Sequence, residues 1–292
     1  MDVDAVVVSY ESRDHLRGCV EPLAHLPGVH VVVVDNASTD GSLDAVADLP
    51  VETRALPDNR GFSAGCNAGF RVGSAPLVLF LNPDAHIDER SLRLLAHVLE
   101  TEPGVGAVGP RIAHPDGSLH YSQRRFPRLR SSFAQALFLH RVVPRAGWSD
   151  EVIRDDAAYE RRGSPDWVSG ACIMLRRADL ERLGGWDEGF FLYSEETDLC
   201  RRLRDAGLEV RYEPEARALH LGGASAPRTS LLPVLAASRV RYARKHQGAA
   251  AATLVRLAIA LGALARLVVA RGGLRARAGH ARAALRVAFR AG

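Results

Sequence analysis

"VHVVVVDNASTDGS", residues 29–42, decides the fold. Val31 to Val34 leave no polar position for a solvent face, so the run predicts a strand covered on both sides. It stops at Asp35, where Asn, Ser, Thr, Asp and Gly make a turn. "DAVVVSY" (4–10) and "APLVLFLN" (75–82) read the same way. Between these runs the pattern turns helical, over about 12–25, 40–48, 63–72 and 88–101, the last with Asp88 as its cap. Strand alternating with helix predicts a doubly wound α/β domain whose mostly parallel sheet carries helices on both faces.

In such a sheet ligands sit beyond the carboxyl ends of the strands. Ser9-Tyr10-Glu11, Asp35 to Ser42 and Asn82 to Ala85 fall there. "NRGFSAGCNAGF" (59–70) places Gly61, Gly65 and Gly69 four apart. They form either a small helix face packed on the sheet or a backbone approach to phosphate or sugar. The stretch fits neither the P-loop nor the Rossmann glycine pattern. Residues 111–165 are rich in Arg, His and Pro, with a hairpin at "HPDGSLHYS" turning on Asp116-Gly117 and a helix near 131–140. "DWVSGACIMLRR" predicts a strand over 166–177.

"FFLYSEETDLCRRL" (190–203) runs an apolar, aromatic lead-in straight into Glu195, Glu196 and Asp198. An acidic first helical turn capped by Ser194 explains this locally, with Leu199 and Leu203 buried. A general base with a raised pKa beside apolar walls explains it chemically.

The 292 residues carry a net charge of +4, which conceals a division. No acid follows Glu215, and the remaining residues hold 14 Lys and Arg; the first 215 hold 24 basic and 34 acidic side chains, net −10. A basic tail on an acidic body predicts an anionic surface as partner, and its apolar content favours lipid over nucleic acid. Residues 249–270 contain nine Leu, Ile and Val, about −3 to −5 kcal/mol for insertion, against about 5–7 kcal/mol for Arg256 and Arg266. Residues 274–290 put Arg275, Arg282, Arg286 and Arg290 within about 80° on a helical wheel, an amphipathic pattern suited to anionic lipid. A soluble helical hairpin is the alternative. Cys19, Cys66, Cys172 and Cys200 lack metal spacing, and the N-terminus shows no signal-peptide pattern.

The order of "VVVVDNASTDGS", "NRGFSAGCNAGF", "LFLNPDA", "GGWDEGFFLYSEETDLCRRLRDAGLEV" and "HLGGAS" resembles the GT-A glycosyltransferases of family 2, over about residues 3–247. The likeness is strongest to the rhamnosyltransferase branch of bacterial cell-surface polysaccharide synthesis. It implies a catalytic domain over 1–228, with a nucleotide-sugar half (1–110) and an acceptor half (111–228), then a basic helical extension over 229–292. It implies an inverting transfer from a dTDP- or UDP-sugar, such as dTDP-L-rhamnose, to a polyprenyl-diphosphate-linked saccharide. The enzyme would be peripheral on the cytoplasmic face of the membrane, with no nucleic-acid partner. Asp35 corresponds to the nucleobase-binding aspartate, with Ser9, Tyr10, Glu11, Asn36, Asn59, Gly61, Phe62, Asn67, Asn82 and Asp84 completing the donor site. Asp84 and His220 would hold Mg²⁺ or Mn²⁺. Glu196 corresponds to the base, and Trp186, Asp187 and Glu195 to the acceptor site. Two departures stand out: Asn82 replaces the first Asp of the family's D-x-D, and Glu196 stands where Asp is usual.

Rival readings are a non-catalytic membrane scaffold with this fold and a sugar-nucleotidyltransferase. The latter requires a glycine-rich loop with Arg and Lys after the first strand, which "SYESRDHLRG" does not supply.

Overall fold

A computed structural model of the chain describes residues 1–143, 146–222 and 228–269. In chain order the elements are β1 (Val3–Ser9), α1 (Arg13–Ala24), β2 (Val29–Asp35), β3 (Glu52–Ala55), α2 (Phe62–Phe70), β4 (Leu77–Leu81), β5 (Ala85–Ile87) and α3 (Glu89–Thr101). Then come β6 (Val105–Ala113), β7 (Leu119–His120), β8 (Gln123–Arg124), α4 (Leu129–Ala136), α5 (Leu139–Val142), β9 (Trp167–Val168), β10 (Cys172–Arg176) and α6 (Arg177–Arg182). The last are α7 (Glu195–Asp205), β11 (Glu209–His220), α8 (Arg228–Gln247) and α9 (Ala249–Val269).

The chain divides into two units: 1–124 with 155–191 and 195–225, and 125–154 with 192–194 and 226–292. The C-terminal extension is expected from 229; the second unit's C-terminal piece starts at 226, and α4 and α5 group with it.

The first unit is built on a sheet of order β3-β2-β1-β4-β10-β6-β11-β5. β3, β2, β1 and β4 run parallel, β10 is antiparallel between β4 and β6, and β11 is parallel to β6. The sheet is thus mixed, in keeping with the mostly parallel α/β fold. The all-apolar runs have the expected cause. Ala5, Val7, Val31 and Val33 pack with Leu16, Val20, Leu92 and Leu95 of α1 and α3, while Val6, Val8 and Val34 meet α2 on the opposite face. A Cβ on Gly65 would stand 2.5 Å from Val8 Cγ1, so this glycine lets α2 lie close on the sheet.

Two expected elements of this unit differ. Residues 42–46 form only a short 3₁₀ turn. The strand expected over 166–177 is interrupted at 169–171: β9 pairs with β8 in a separate two-stranded sheet and only β10 enters the main one. The 111–120 hairpin is present as β6 and β7, with Gly117 at φ 81°.

In the second unit the helix expected near 131–140 breaks at Phe138, whose φ of 58° ends α4 before α5. Ala236, Val240 and Ala243 of α8 pack with Ala252 and Val255 of α9. Ala249–Arg266 is long and apolar enough to cross a membrane, with 33% of that window buried inside the structure. Leu254, Leu257 and Leu264 remain exposed. The arginine pattern at 274–290 lies outside the described residues.

Candidate active site

Parallel register brings the carboxyl ends of β1 and β2 level, with Ser9 opposite Asp35, and Val7 opposite Leu81 places Asn82 at the same edge. Ser9 is fully buried, and its Oγ has no hydrogen-bond partner among the described residues. Tyr10 is 39% exposed. Glu11, at φ 49°, accepts from the Thr39 N–H (2.9 Å) and hydroxyl (3.1 Å), which ties the two strand ends together. Asp35 accepts from the Ser38 N–H (3.0 Å) and hydroxyl (2.5 Å). A carboxylate offers about four acceptor positions, so Asp35 can also take an imide N–H.

The asparagines divide by role. Asn36 donates to Asn59 Oδ1 (2.9 Å) and the Gly61 carbonyl (3.1 Å), and accepts from the Arg60 N–H, so the two amides shape the glycine loop. Gly61 sits at φ 87°, where a Cβ would stand 2.2 Å from the Phe191 carbonyl oxygen. Phe62 N–H donates to that oxygen at 2.7 Å. Asn67 and Trp186, expected in the donor and acceptor sites, are both buried. Asn67, 2% exposed, bonds to the Trp186 backbone and Glu188. Trp186, also 2% exposed, packs edge-on to Phe62 and Phe80. Asp187 is partly exposed and accepts from the Gly189 N–H at 2.9 Å.

Asn82, Asp84 and His220 meet at the end of β4 and β11. His220 Nε2 lies 3.2 Å from Asp84 Oδ1 and 3.2 Å from Asn82 Nδ2, and Gly222 N–H donates to Asp84 Oδ2 at 3.0 Å. Burial would raise the Asp84 pKa, but the His220 hydrogen bond and charge, with the Gly222 N–H, outweigh it and hold the carboxyl below its usual range. Among the described residues no group of three or more His, Cys, Asp and Glu could hold a metal ion. A carboxylate and an imidazole are ligand types that a hard divalent ion accepts when water and a bound diphosphate supply the rest, while the Asn82 amide meets His220 through Nδ2. His120 was not found from the sequence. Its ring lies 5.6 Å from that of His220 and 5.1 Å from that of His114, and burial, then His220, Arg124 and His114, push its pKa down to about 4. A lone histidine in a two-residue strand carries no sequence signal.

The 190–203 stretch forms the expected acidic helix start. Glu195 opens α7, but Ser194 has φ 65°, outside the extended backbone of an ordinary N-cap. Asp198, fully buried, accepts from Arg202 Nε at 2.8 Å, and Arg202 also donates to the Leu183 and Gly185 carbonyls, so this carboxylate is structural. Glu195 is 5% exposed. Glu196 is half-buried, and its Oε2 is buried with no hydrogen-bond partner. Burial raises its pKa against the opposing pull of backbone N–H groups and Arg124. A Cβ on Gly170 would lie 3.4 Å from Glu196 Cβ, and Ala171, the next residue, accepts from the Asn82 N–H at 3.0 Å. The start of β10 therefore lies against Glu196 and Asn82 together.

Residues 4–184 match the family described as glycosyl transferase family 2. An N-acetylglucosaminyl-diphospho-decaprenol L-rhamnosyltransferase of Mycobacterium tuberculosis is 33% identical over 230 residues, 74% of this chain and 74% of that protein. The rhamnosyltransferase WbbL of Escherichia coli is 30% identical over 155 residues, 52% of this chain and 54% of that protein. Among solved structures, a Pyrobaculum calidifontis mannosyltransferase in complex with GDP-Man and Mn²⁺ shares the fold at TM-score 0.59 and 20% identity, covering 98% of this chain and 80% of that one. S. aureus TarS 1–349 in complex with UDP-GlcNAc does so at TM-score 0.57 and 15% identity, covering 99% and 82%.

Proposed function

The chain belongs to glycosyl transferase family 2 and is a glycosyltransferase, and from that premise we propose that it passes L-rhamnose from dTDP-rhamnose to a polyprenyl-diphosphate-linked saccharide, with inversion. The observation that carries the chemistry is Glu196, whose buried Oε2 has no hydrogen-bond partner and whose pKa is raised beside the strand edge that bears Asn82, Asp84 and His220. The acceptor hydroxyl oxygen bonds to the anomeric carbon as the bond from that carbon to the diphosphate breaks. The bonding pair leaves on the diphosphate oxygen, and Glu196 takes the hydroxyl proton. A raised pKa makes the carboxylate a stronger base once it is ionised.

Asp35 accepts the imide N–H of thymine, with Ser9 and Tyr10 along the same edge and the Asn36–Asn59 pair holding the glycine loop that borders it. Asp84 and His220 would hold Mg²⁺ or Mn²⁺. That ion would stabilise the charge of the leaving diphosphate. Glu195 and Asp187 serve acceptor orientation. The rhamnosyl donor and the lipid-linked acceptor are supported by the names of the relatives. A peripheral seat on the cytoplasmic membrane face is supported by the exposed leucines of α9 and the acid-free tail after Glu215.

The test is titration of the protein with dTDP, UDP and GDP, with and without Mn²⁺, beside Asp84→Ala. Metal-dependent binding of dTDP, lost in the variant, is expected, followed by rhamnosyl transfer to a synthetic N-acetylglucosaminyl-diphospho-lipid. Folded protein that binds no nucleotide with metal present would overturn the donor site.

A further inference from the structure

In the second unit, α4, α8 and α9 enclose a cavity of ≈ 190 Å³ walled by Leu235, Ala236, Val255 and Ile259, with Arg239 and Arg266 among its lining. Its size is set by close helix approach, since a Cβ on Gly262 would stand 3.1 Å from Ala136 Cα. Arg239 is engaged, donating to Gln135 Oε1 at 2.9 Å and Glu151 Oε2 at 2.8 Å. Arg266 is not. Among the described residues no carboxylate pairs with Arg266 or Arg141, and the two guanidiniums lie 5.5 and 4.9 Å from the centre of the same Phe138 ring. Partial burial, then the charges of Arg141 and Arg239, push the Arg266 pKa down.

An apolar chamber with cations at its polar side matches a molecule that joins hydrocarbon directly to phosphate. The geometry points to this cavity as the binding site for the phosphate-proximal isoprene units of an isoprenoid diphosphate, with its phosphate oxygens on Arg266 and Arg141. This rests on the reading that the acceptor is lipid-linked. The volume is below the roughly 300–1,000 Å³ of a site for a whole drug-sized ligand, so it takes the start of the chain only. The remainder would run over exposed apolar side chains of α9 and α5, where Leu257 is 58% exposed, Leu264 61% and Val142 76%. The chain's own residues 270–292 are poor occupants, because they carry six arginines and no acid and would be repelled by the same cations.

The experiment is calorimetric titration of the full chain with farnesyl diphosphate in EDTA, which keeps a metal-dependent donor site out of the measurement. Arg266→Gln and the cavity-filling Ile259→Trp are compared with the parent, and dTDP–Mn²⁺ affinity is measured for each. Both variants are expected to weaken farnesyl diphosphate about tenfold, the order of one charge-assisted hydrogen bond or a lost apolar contact, with dTDP affinity unchanged. Farnesol and inorganic pyrophosphate alone should each bind at least about tenfold more weakly than the joined molecule. Parent-like affinity in both variants would overturn the proposal. So would pyrophosphate binding as tightly as farnesyl diphosphate, which would mean an anion patch only. Displacement of farnesyl diphosphate by phosphatidylglycerol vesicles, with the same sensitivity to both variants, would assign the surface to bulk lipid. If dTDP binding persists while the cavity fails, the transferase reading stands without it; loss of dTDP binding by the parent would sink the donor reading alone.

Discussion

Glu196→Gln separates the two explanations of the acidic stretch at 195–198, because they predict opposite signs. If Glu196 is present only as a first-turn carboxylate, its charge favours the helix by about 0.3–1 kcal/mol, and the neutral variant loses that at pH 8 while turning over normally. If it is the base, the raised pKa reverses the stability effect. A carboxyl whose folded pKa lies above its unfolded value contributes stability that is full below the unfolded pKa, about 4.3, and is lost as pH rises through the folded pKa. Above its folded pKa the parent then carries a charge, opposed by burial, that the variant does not. Glu196→Gln is expected to be at least as stable as the parent there, with the difference shrinking to nothing below about pH 4. Turnover moves the other way. Loss of a general base costs about 10²- to 10⁴-fold in kcat, roughly 3–5 kcal/mol of transition-state stabilisation. The assay is transfer of labelled rhamnose from dTDP-rhamnose to a synthetic diphospho-lipid acceptor, across pH, beside thermal melts of both proteins. The parent's kcat/KM should fall on the acid side at a pH above the ordinary carboxylate range, and the residual activity of the variant should lack that limb. A variant that keeps kcat within about tenfold of the parent and melts lower at pH 8 would refute the base assignment.

Asn82→Asp restores a second carboxylate beside Asp84 and His220, and about tenfold tighter Mn²⁺ binding in the presence of dTDP is expected by metal titration; unchanged affinity would place Asn82 outside the metal's reach. Gly65→Ala forces a methyl to 2.5 Å from the stiff Val8 side chain and should cost about 1–3 kcal/mol in urea unfolding, with nucleotide affinity of the folded protein retained. Asp198→Ala leaves the Arg202 guanidinium without its buried partner, and a loss of about 3–5 kcal/mol in the same measurement is expected. His120 has a folded pKa depressed to about 4, so its contribution is full above its unfolded pKa near 6.5 and is lost as pH falls from there towards about 4. His120→Gln should flatten the pH dependence of stability in that window, by about 3 kcal/mol at most, when metal-free protein is unfolded at several pH values.

The part of the fold that the sequence disclosed is the part in which burial is two-sided. Val31–Val34 can only be a doubly covered strand, and from that the parallel half of the sheet and its ligand edge follow. The rest lacked a signal for a physical reason in each case. β3 (Glu52–Ala55) is an exposed edge strand of charged and small residues, with neither apolar run nor alternation. β10 is as apolar as β4, and composition does not encode that it runs antiparallel. Gly170 breaks 166–177 because β9 and β10 enter different sheets, which tertiary pairing alone decides. At the site, the residues at parallel strand ends could be read from position. The asparagines could not be sorted, since Asn67 and Asn59 look alike until their amides are seen to hold backbone.

The two departures from the family pattern are physically related through the start of β10. Where a carboxylate is usual, Asn82 leaves Asp84 as the anion of the cluster, and His220 approaches Asp84 and Asn82 alike, at 3.2 Å. An imidazole coordinates only through an unprotonated nitrogen, so a metal seated there requires Nε2 free of its proton. On the other side of the same backbone, Gly170 presents no side chain to Glu196, and the longer arm lies in the space a Cβ would border at 3.4–3.7 Å. A shorter Glu196→Asp carboxylate would withdraw from the reacting hydroxyl by about one bond length, a displacement that costs on the order of 10²-fold in rate. Aspartate restored at 82 alone is therefore expected to alter metal affinity, and aspartate restored at 196 alone to alter the rate.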